Sequence, residues 1–195
     1  MIADLISNPF DPQINALFLV IFNALGIMPA VFAQLLLPAS KDQKPVPAAP
    51  FVLGSFAGGL FLLGPYLALR QYRPRVDETS LGGLAKATNS KIGGVLTLVS
   101  ACGLVAYAVQ SGALATLPEF LTLFNAQTLV HVSTVDLSLL SLVMWEPMLE
   151  DMRRRGAYTD GSGSQKLKLA AFCAIPVLGP AAYVATRPPL LPLDE

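Results

Sequence analysis

The sequence predicts an all-helical integral membrane bundle of about five transmembrane helices in a single domain over residues 1–195. Two observations predict it: 53% of the residues are hydrophobic and only 13% are charged, where soluble domains carry about 25% charged residues; and the apolar residues collect into runs long enough to cross a bilayer, for which about 20 residues are needed. The thirteen Lys and Arg balance the thirteen Asp and Glu. No basic excess points to nucleic acid, so lipid, pigment or other membrane subunits are the expected partners.

Five runs meet the length: Asn15 to Leu37, Phe51 to Leu69, Ile92 to Ala113, Gln127 to Trp145 and Leu169 to Ala185. All but the fourth lack Asp, Glu, Lys and Arg entirely. The preceding MIADLISNPFDP has acidic residues and no basic stretch, unlike a secretory signal or a transit peptide. On a five-span reading, the N-tail and the loops Arg70 to Lys91 and Glu146 to Lys168 share one side and carry ten Lys and Arg against three opposite. The positive-inside rule then puts the N-terminus on the cytoplasmic or stromal side and the C-terminus on the far side.

Between the first two spans PASKDQKPVPAAP carries four prolines, which predicts an extended, stiff connection. GAYTDGSGSQ before Lys166 has the composition of a flexible linker. TLPEFLTLFN, ahead of the fourth span, reads either as a short helix lying along the interface or as a plain loop.

Small residues mark close approach in the second span, at Gly54, Gly58 and Gly59, and in the third, at Gly93, Gly94, Ser100 and Gly103. Such faces admit a neighbouring helix or a flat ring. Leu-Gly-Pro recurs at Leu63 to Pro65 and Leu178 to Pro180, and Pro176 lies nearby. Proline removes a donor and kinks a helix; kinked packing is the plain reading, and an interrupted helix of a transporter the alternative.

Polar residues inside the spans are the candidate site. In the first span Asn23, Ala30 and Gln34 fall on one narrow arc. In the fourth, Gln127, His131, Thr134, Ser138 and Ser141 form a polar stripe, and Asp136 lies on the opposite face. A midspan aspartate costs roughly 2.5–3.5 kcal/mol on insertion scales, so it is expected to be protonated or paired, with Asn23 or Gln34 as candidate partners. His131, a neutral imidazole near one end of its span, has the chemistry to supply the single axial nitrogen that the magnesium of chlorophyll needs, or simply to hydrogen-bond. Amide oxygens at Asn23, Gln34 and Gln127 are secondary candidates for the same role. Phosphate-loop, H-E-x-x-H and G-x-S-x-G motifs are missing from the sequence, and His131 and Asp136 face apart, so no conventional catalytic pair is expected.

The run from Phe22 to Arg70, with Asn-Ala-Leu-Gly and a following proline, Leu-Leu-Pro, a proline-rich link, Pro-Phe-Val and Gly-Pro-Tyr, resembles a family of multispanning thylakoid proteins of plastids and cyanobacteria, covering about the first third of the chain. Accessory photosystem I subunits of red-lineage algae, of the PsaR type, are the members it most resembles. The resemblance implies a non-catalytic subunit in the thylakoid membrane, N-terminus stromal and C-terminus lumenal, that holds chlorophyll and carotenoid beside photosystem core subunits and light-harvesting antenna proteins. The arginine groups Arg70, Arg73, Arg75 and Arg153, Arg154, Arg155 are then docking candidates or headgroup anchors. HVSTVDLSLL is also similar in character to plastid membrane proteins of carotenoid conversion, so a membrane enzyme acting on carotenoid or lipid is the first alternative and a small transporter the second.

Overall fold

The computed structural model describes residues 14–41 and 43–192, and the acidic N-terminal stretch read above lies outside them. It is built from α-helices with three short 3-10 turns. Four helices, Ala16–Ala39, Ala48–Leu69, Lys91–Gln110 and Thr128–Arg154, are long and apolar enough to cross a membrane.

Helix α1 (Ala16–Leu36) starts where the Asn15 side chain accepts the Phe18 N–H, and ends in a 3-10 turn over Leu37–Ala39 that contains Pro38. It is apolar on all sides, and it is buried accordingly: Phe18, Met28, Val31, Phe32 and Leu35 have no exposed surface. The other helices pack around it.

Helix α2 (Ala48–Leu69) does not run straight, which corrects the second predicted span. Gly59 adopts φ 50° and ψ −136°, a turn conformation essentially restricted to glycine. The chain therefore folds back on itself. A Cβ at Gly54 would lie 3.7 Å from that of Leu62, whereas eight residues of straight helix cover about 12 Å. The Phe51 and Tyr66 rings stack at 6.3 Å. Where the two arms meet the rest of the chain, Gln43 Nε2 donates to the Gln71 carbonyl at 2.8 Å and the Gln71 N–H returns to Gln43 Oε1 at 3.2 Å. Gly54 and Gly58 are small because Leu62 of the return arm lies against them. Their predicted role in close packing is thus fulfilled within one hairpin.

After the short helix α3 (Gly83–Asn89), α4 (Lys91–Gln110) runs the length of the bundle from an N-cap at Ser90. The TLPEFLTLFN segment is helical, as α5 (Leu117–Ala126). Helices α6 (Thr128–Val143) and α7 (Trp145–Arg154) form one bent rod; Pro147 has no N–H to give the Val143 carbonyl, which accounts for the interruption.

The fifth predicted span is likewise corrected. It consists of two helices, α8 (Gly163–Ala174) and α9 (Leu178–Thr186), joined by a tip in which Val177 has φ 65°. Pro176 and Pro180 deprive the tip of two donors, and Phe172 and Tyr183 face each other across the arms at 5.5 Å. Helix α9 lies against α4, where Gly94 has no room for a Cβ beside Val184 and Ala185. GAYTDGSGSQ is a bonded turn, with the Thr159 and Gly161 N–H groups on Gln165 Oε1.

Both hairpins enter and leave at the same end of the bundle. Their arms of about ten residues reach about 15 Å, half the length of the 20-residue α4. A buried ionic cluster on α7 fastens them there. Arg70, closing the first hairpin, pairs with Glu150, and Arg154 reaches Glu150 at 3.0 Å. Arg187, closing the second, reaches Asp151 at 3.2 Å, and Arg155 reaches it at 2.8 Å. Each closing arginine follows a buried tyrosine by four residues, Tyr66 and Tyr183, and the Tyr183 hydroxyl donates to Asp151 at 2.8 Å. The two hairpins thus repeat one docking unit, Tyr-x-x-x-Arg against an acid and its i+4 arginine. Arg187 Nη1 also donates to the Gln34 carbonyl at 2.7 Å and Arg154 Nη1 to the Leu35 carbonyl at 3.3 Å, capping the negative end of the α1 dipole.

All thirteen Lys and Arg gather at this end: Lys41 and Lys44 after α1, Arg70 to Lys91 between α2 and α4, Arg153 to Lys168 between α7 and α8, and Arg187 after α9. The opposite end holds the start of α1, where Asn15 Nδ2 donates to the Thr116 carbonyl at 3.1 Å and to Glu119 at 3.0 Å. The predicted placement of the chain ends is corrected by this arrangement. The α1 start sits away from the basic loops and the segment after α9 sits among them, because two presumed spans are hairpins. Arg70, Arg154 and Arg155 are also turned inward, against the expectation of surface docking or anchoring; Arg153 remains exposed.

Candidate functional site

The site is assembled where the first hairpin's tip meets α6. Asp136 Oδ1 accepts the Leu60 N–H at 2.8 Å, so the partner of this aspartate is a backbone amide at the start of the return arm rather than Asn23 or Gln34. The positive end of a helix dipole faces its carboxylate. Gly59 is required twice over: its φ suits glycine, and a Cβ there would overlap the Asp136 carboxyl.

Two apolar hollows meet at Asp136. A cleft of about 580 Å³ lies between α1, the hairpin tip and α6, lined by Phe22, Asn23, Phe56, Gly58, Ser133 and Asp136 among others. A groove of about 500 Å³ continues along the other side of the return arm, past Leu60, Phe61, Gly64, Val135 and Leu139, to His131. Helical geometry does separate His131 from Asp136 around α6, yet the groove that wraps the helix is lined by both.

The remaining sequence candidates scatter. The exposed His131 ring packs at a tilt against Phe124, centroids 4.3 Å apart, and makes no side-chain hydrogen bond among the described residues. Asn23 is exposed at the cleft, one N–H of its amide donating to the Leu19 carbonyl at 2.9 Å. Gln34 is buried toward the basic end; its Nε2 donates to Thr97 at 2.6 Å and to the Ala30 carbonyl at 3.2 Å, and its Oε1 has no partner. Gln127 is the exposed N-cap position of α6 at the opposite end. Only Asn23 and Asp136 share the cleft, and only His131 and Asp136 share the groove. Of the predicted stripe, Thr134, Ser138 and Ser141 turn their hydroxyls back to carbonyls of their own helix at 2.7–2.8 Å, the usual retreat of a hydroxyl in an apolar setting.

Ser133 was missed by the sequence reading. It is 5% exposed, lines the cleft, and its hydroxyl has no hydrogen-bond partner among the described residues. Its only sequence signal is its position three residues before Asp136, which puts both on one helix face.

The second hairpin's tip faces a hollow of a different kind, about 590 Å³, walled by Leu17, Val20, Ile21, Leu104, Val105 and Val177 and without an ionisable side chain. Of the candidate ligands to a magnesium-centred ring, His131 has an imidazole without a hydrogen bond among the described residues and lines the groove beside Asp136, so it is the residue that would hold one. Gln34 and Gln127 do not fit, one enclosed and the other at a helix end. Among the described residues no group of three or more His, Cys, Asp and Glu is placed to hold a metal ion. No family model, curated protein or solved structure matches the chain.

Proposed function

We propose that the chain is an integral membrane protein that holds elongated apolar ligands of the carotenoid and chlorophyll kind at its hairpin tips, as an accessory subunit of a photosynthetic membrane complex. The observation that carries this reading is the pair of hollows that share Phe61, Val132 and Asp136, one lined by Asn23 and the other by His131, mostly apolar and punctuated by a few polar groups, the pattern of sites for apolar small molecules. Outward-facing apolar residues support the membrane setting: Phe61 is 87% exposed and Leu142 74%, a surface suited to hydrocarbon. With every Lys and Arg at one end, that end faces the stroma or cytoplasm, the start of α1 lies on the lumenal side and the segment after α9 on the stromal side. His131 would hold a magnesium-centred ring, and photosystem core and antenna proteins would be neighbours.

Extraction of the native membrane in mild detergent is the test. The protein is expected to co-migrate with a large chlorophyll complex, and His131→Ala to lower the chlorophyll retained with it. Migration alone and free of pigment overturns the reading.

A second reading, conversion of a carotenoid or lipid, is favoured by the free carboxylate oxygen of Asp136 beside the unbonded Ser133 hydroxyl in the same cleft. It predicts an altered carotenoid profile on loss of the protein, with Asp136→Asn as damaging as deletion; an unchanged profile removes it. The two hairpins give transport a structural precedent in interrupted helices, but the wholly aliphatic hollow at the second tip offers a hydrophilic solute nothing to bind.

A further inference from the structure

We infer that the cleft at the first hairpin's tip is selective for the hydroxyl-bearing end of an elongated apolar molecule; this rests on the apolar-ligand reading above and names its ligand class. Three polar groups converge there with capacity left. Asp136 Oδ1 is occupied by the Leu60 amide, which leaves Oδ2. Asn23 has given one of its two N–H donors to the Leu19 carbonyl, which leaves the other N–H and its oxygen. Ser133 is more than nine-tenths buried with its hydroxyl unbonded, although its neighbours Thr134, Ser138 and Ser141 all satisfy theirs on their own helix. Ser133 is buried as a residue, yet its hydroxyl keeps surface open to the cleft, where a ligand group can meet it.

The cleft therefore offers donors at Ser133 and Asn23 and acceptors at Asp136 and Asn23 amid Phe22, Leu25, Phe56, Phe61, Leu129 and Val132. A hydrocarbon leaves all three unmatched. A ketone meets Ser133 and leaves the acceptors facing it, and an anionic head is repelled by the carboxylate. A hydroxyl both donates and accepts, so it meets Asp136 and Ser133 together and suits Asp136 in either protonation state. Polyene alcohols and long-chain acyl or isoprenoid alcohols share this chemistry.

The experiment uses the full chain in lipid nanodiscs, loaded separately with β-carotene and with zeaxanthin, which adds one hydroxyl at each end of the same skeleton. Retained pigment is quantified by absorbance after size exclusion, and octadecanol and octadecane are then compared as competitors. Zeaxanthin is expected to be retained with about tenfold or greater apparent affinity over β-carotene, the scale of a charge-assisted hydrogen bond. Ser133→Ala should lower the ratio severalfold, through weaker zeaxanthin retention. Asp136→Asn, which keeps an oxygen for the Leu60 amide, should lower the ratio without loss of the folded species. Displacement of zeaxanthin by octadecanol and not by octadecane identifies the head group as a general alcohol; displacement by neither confines the site to hydroxylated polyenes. Equal retention of the two carotenoids by the unsubstituted protein, or an unchanged ratio in Ser133→Ala, overturns the inference and leaves the apolar-ligand reading standing. Retention of neither overturns both.

Discussion

The folded-back α2 makes a prediction that a straight span cannot share. In the hairpin, a Cβ at position 54 lies 3.7 Å from the Leu62 Cβ, at the centre of the roughly 3.5–4.5 Å range that disulfides require. In a continuous helix the two positions are separated by about 12 Å, well beyond any bridge. The double variant Gly54→Cys, Leu62→Cys, made in a background where the free Cys102 and Cys173 are alanines, should therefore oxidise within one chain under mild copper–phenanthroline treatment. The assay counts free thiols with a maleimide-polyethylene glycol that shifts the band once per thiol: no shift after oxidation and two shifts after reduction. A companion measurement places single cysteines at Lys44 and Tyr72, one on each side of α2 in sequence. Both should react with a membrane-impermeant maleimide from the same face of sealed vesicles. Two free thiols after oxidation, together with labelling of positions 44 and 72 from opposite faces, would refute the hairpin and restore the straight span.

Gly59→Ala should cost several kcal/mol: about 1–3 for the backbone conformation, and more where the new Cβ displaces Asp136 from the Leu60 amide; a large fall in the detergent melting temperature checks it, with Gly82→Ala, where nothing lies within 4 Å, as the mild control. Asp151→Ala leaves Arg155 and Arg187 buried without their shared carboxylate, a loss of about 3–5 kcal/mol, seen as release of the second hairpin to protease; near-normal resistance would show that the arginines find other partners. On the exposed loop, the Thr79 hydroxyl and then its N–H hold the Asp77 carboxyl below the usual aspartate value. The sign follows: the turn is supported above the ordinary value near 3.8 and loses that support as pH falls through the lowered one. Thr79→Ala should move the Asp77 carboxyl titration upward by NMR, and an unmoved titration would count against the cap.

Several features were legible in the residues themselves. The first apolar run was read from Asn15, and α1 begins at the next residue because that side chain caps it. The separation of His131 from Asp136 follows from 100° per residue. Other features were not. Asp136 was expected to be protonated or paired with Asn23 or Gln34; the partner found, the Leu60 N–H, is free only because Gly59 breaks the helix, and in a straight α2 that amide would belong to the ladder. Ser133 looked ordinary beside three other hydroxyls that close on their own helix, and only the packed cleft distinguishes it.

By itself, the sequence determined that the chain is helical, that its long helices are apolar enough for a membrane, and where its charges cluster along the chain. Tertiary structure decided which apolar runs stay extended and which turn back, because length and apolarity are the same for one long helix and for two half-length arms. The distinction lies in one glycine's φ and ψ, in Val177 between two prolines, and in four arginines that find two adjacent acids on α7. That buried pairing needs both hairpin ends at one level, which brings all thirteen cations to one end and puts the tip of the first hairpin against Asp136.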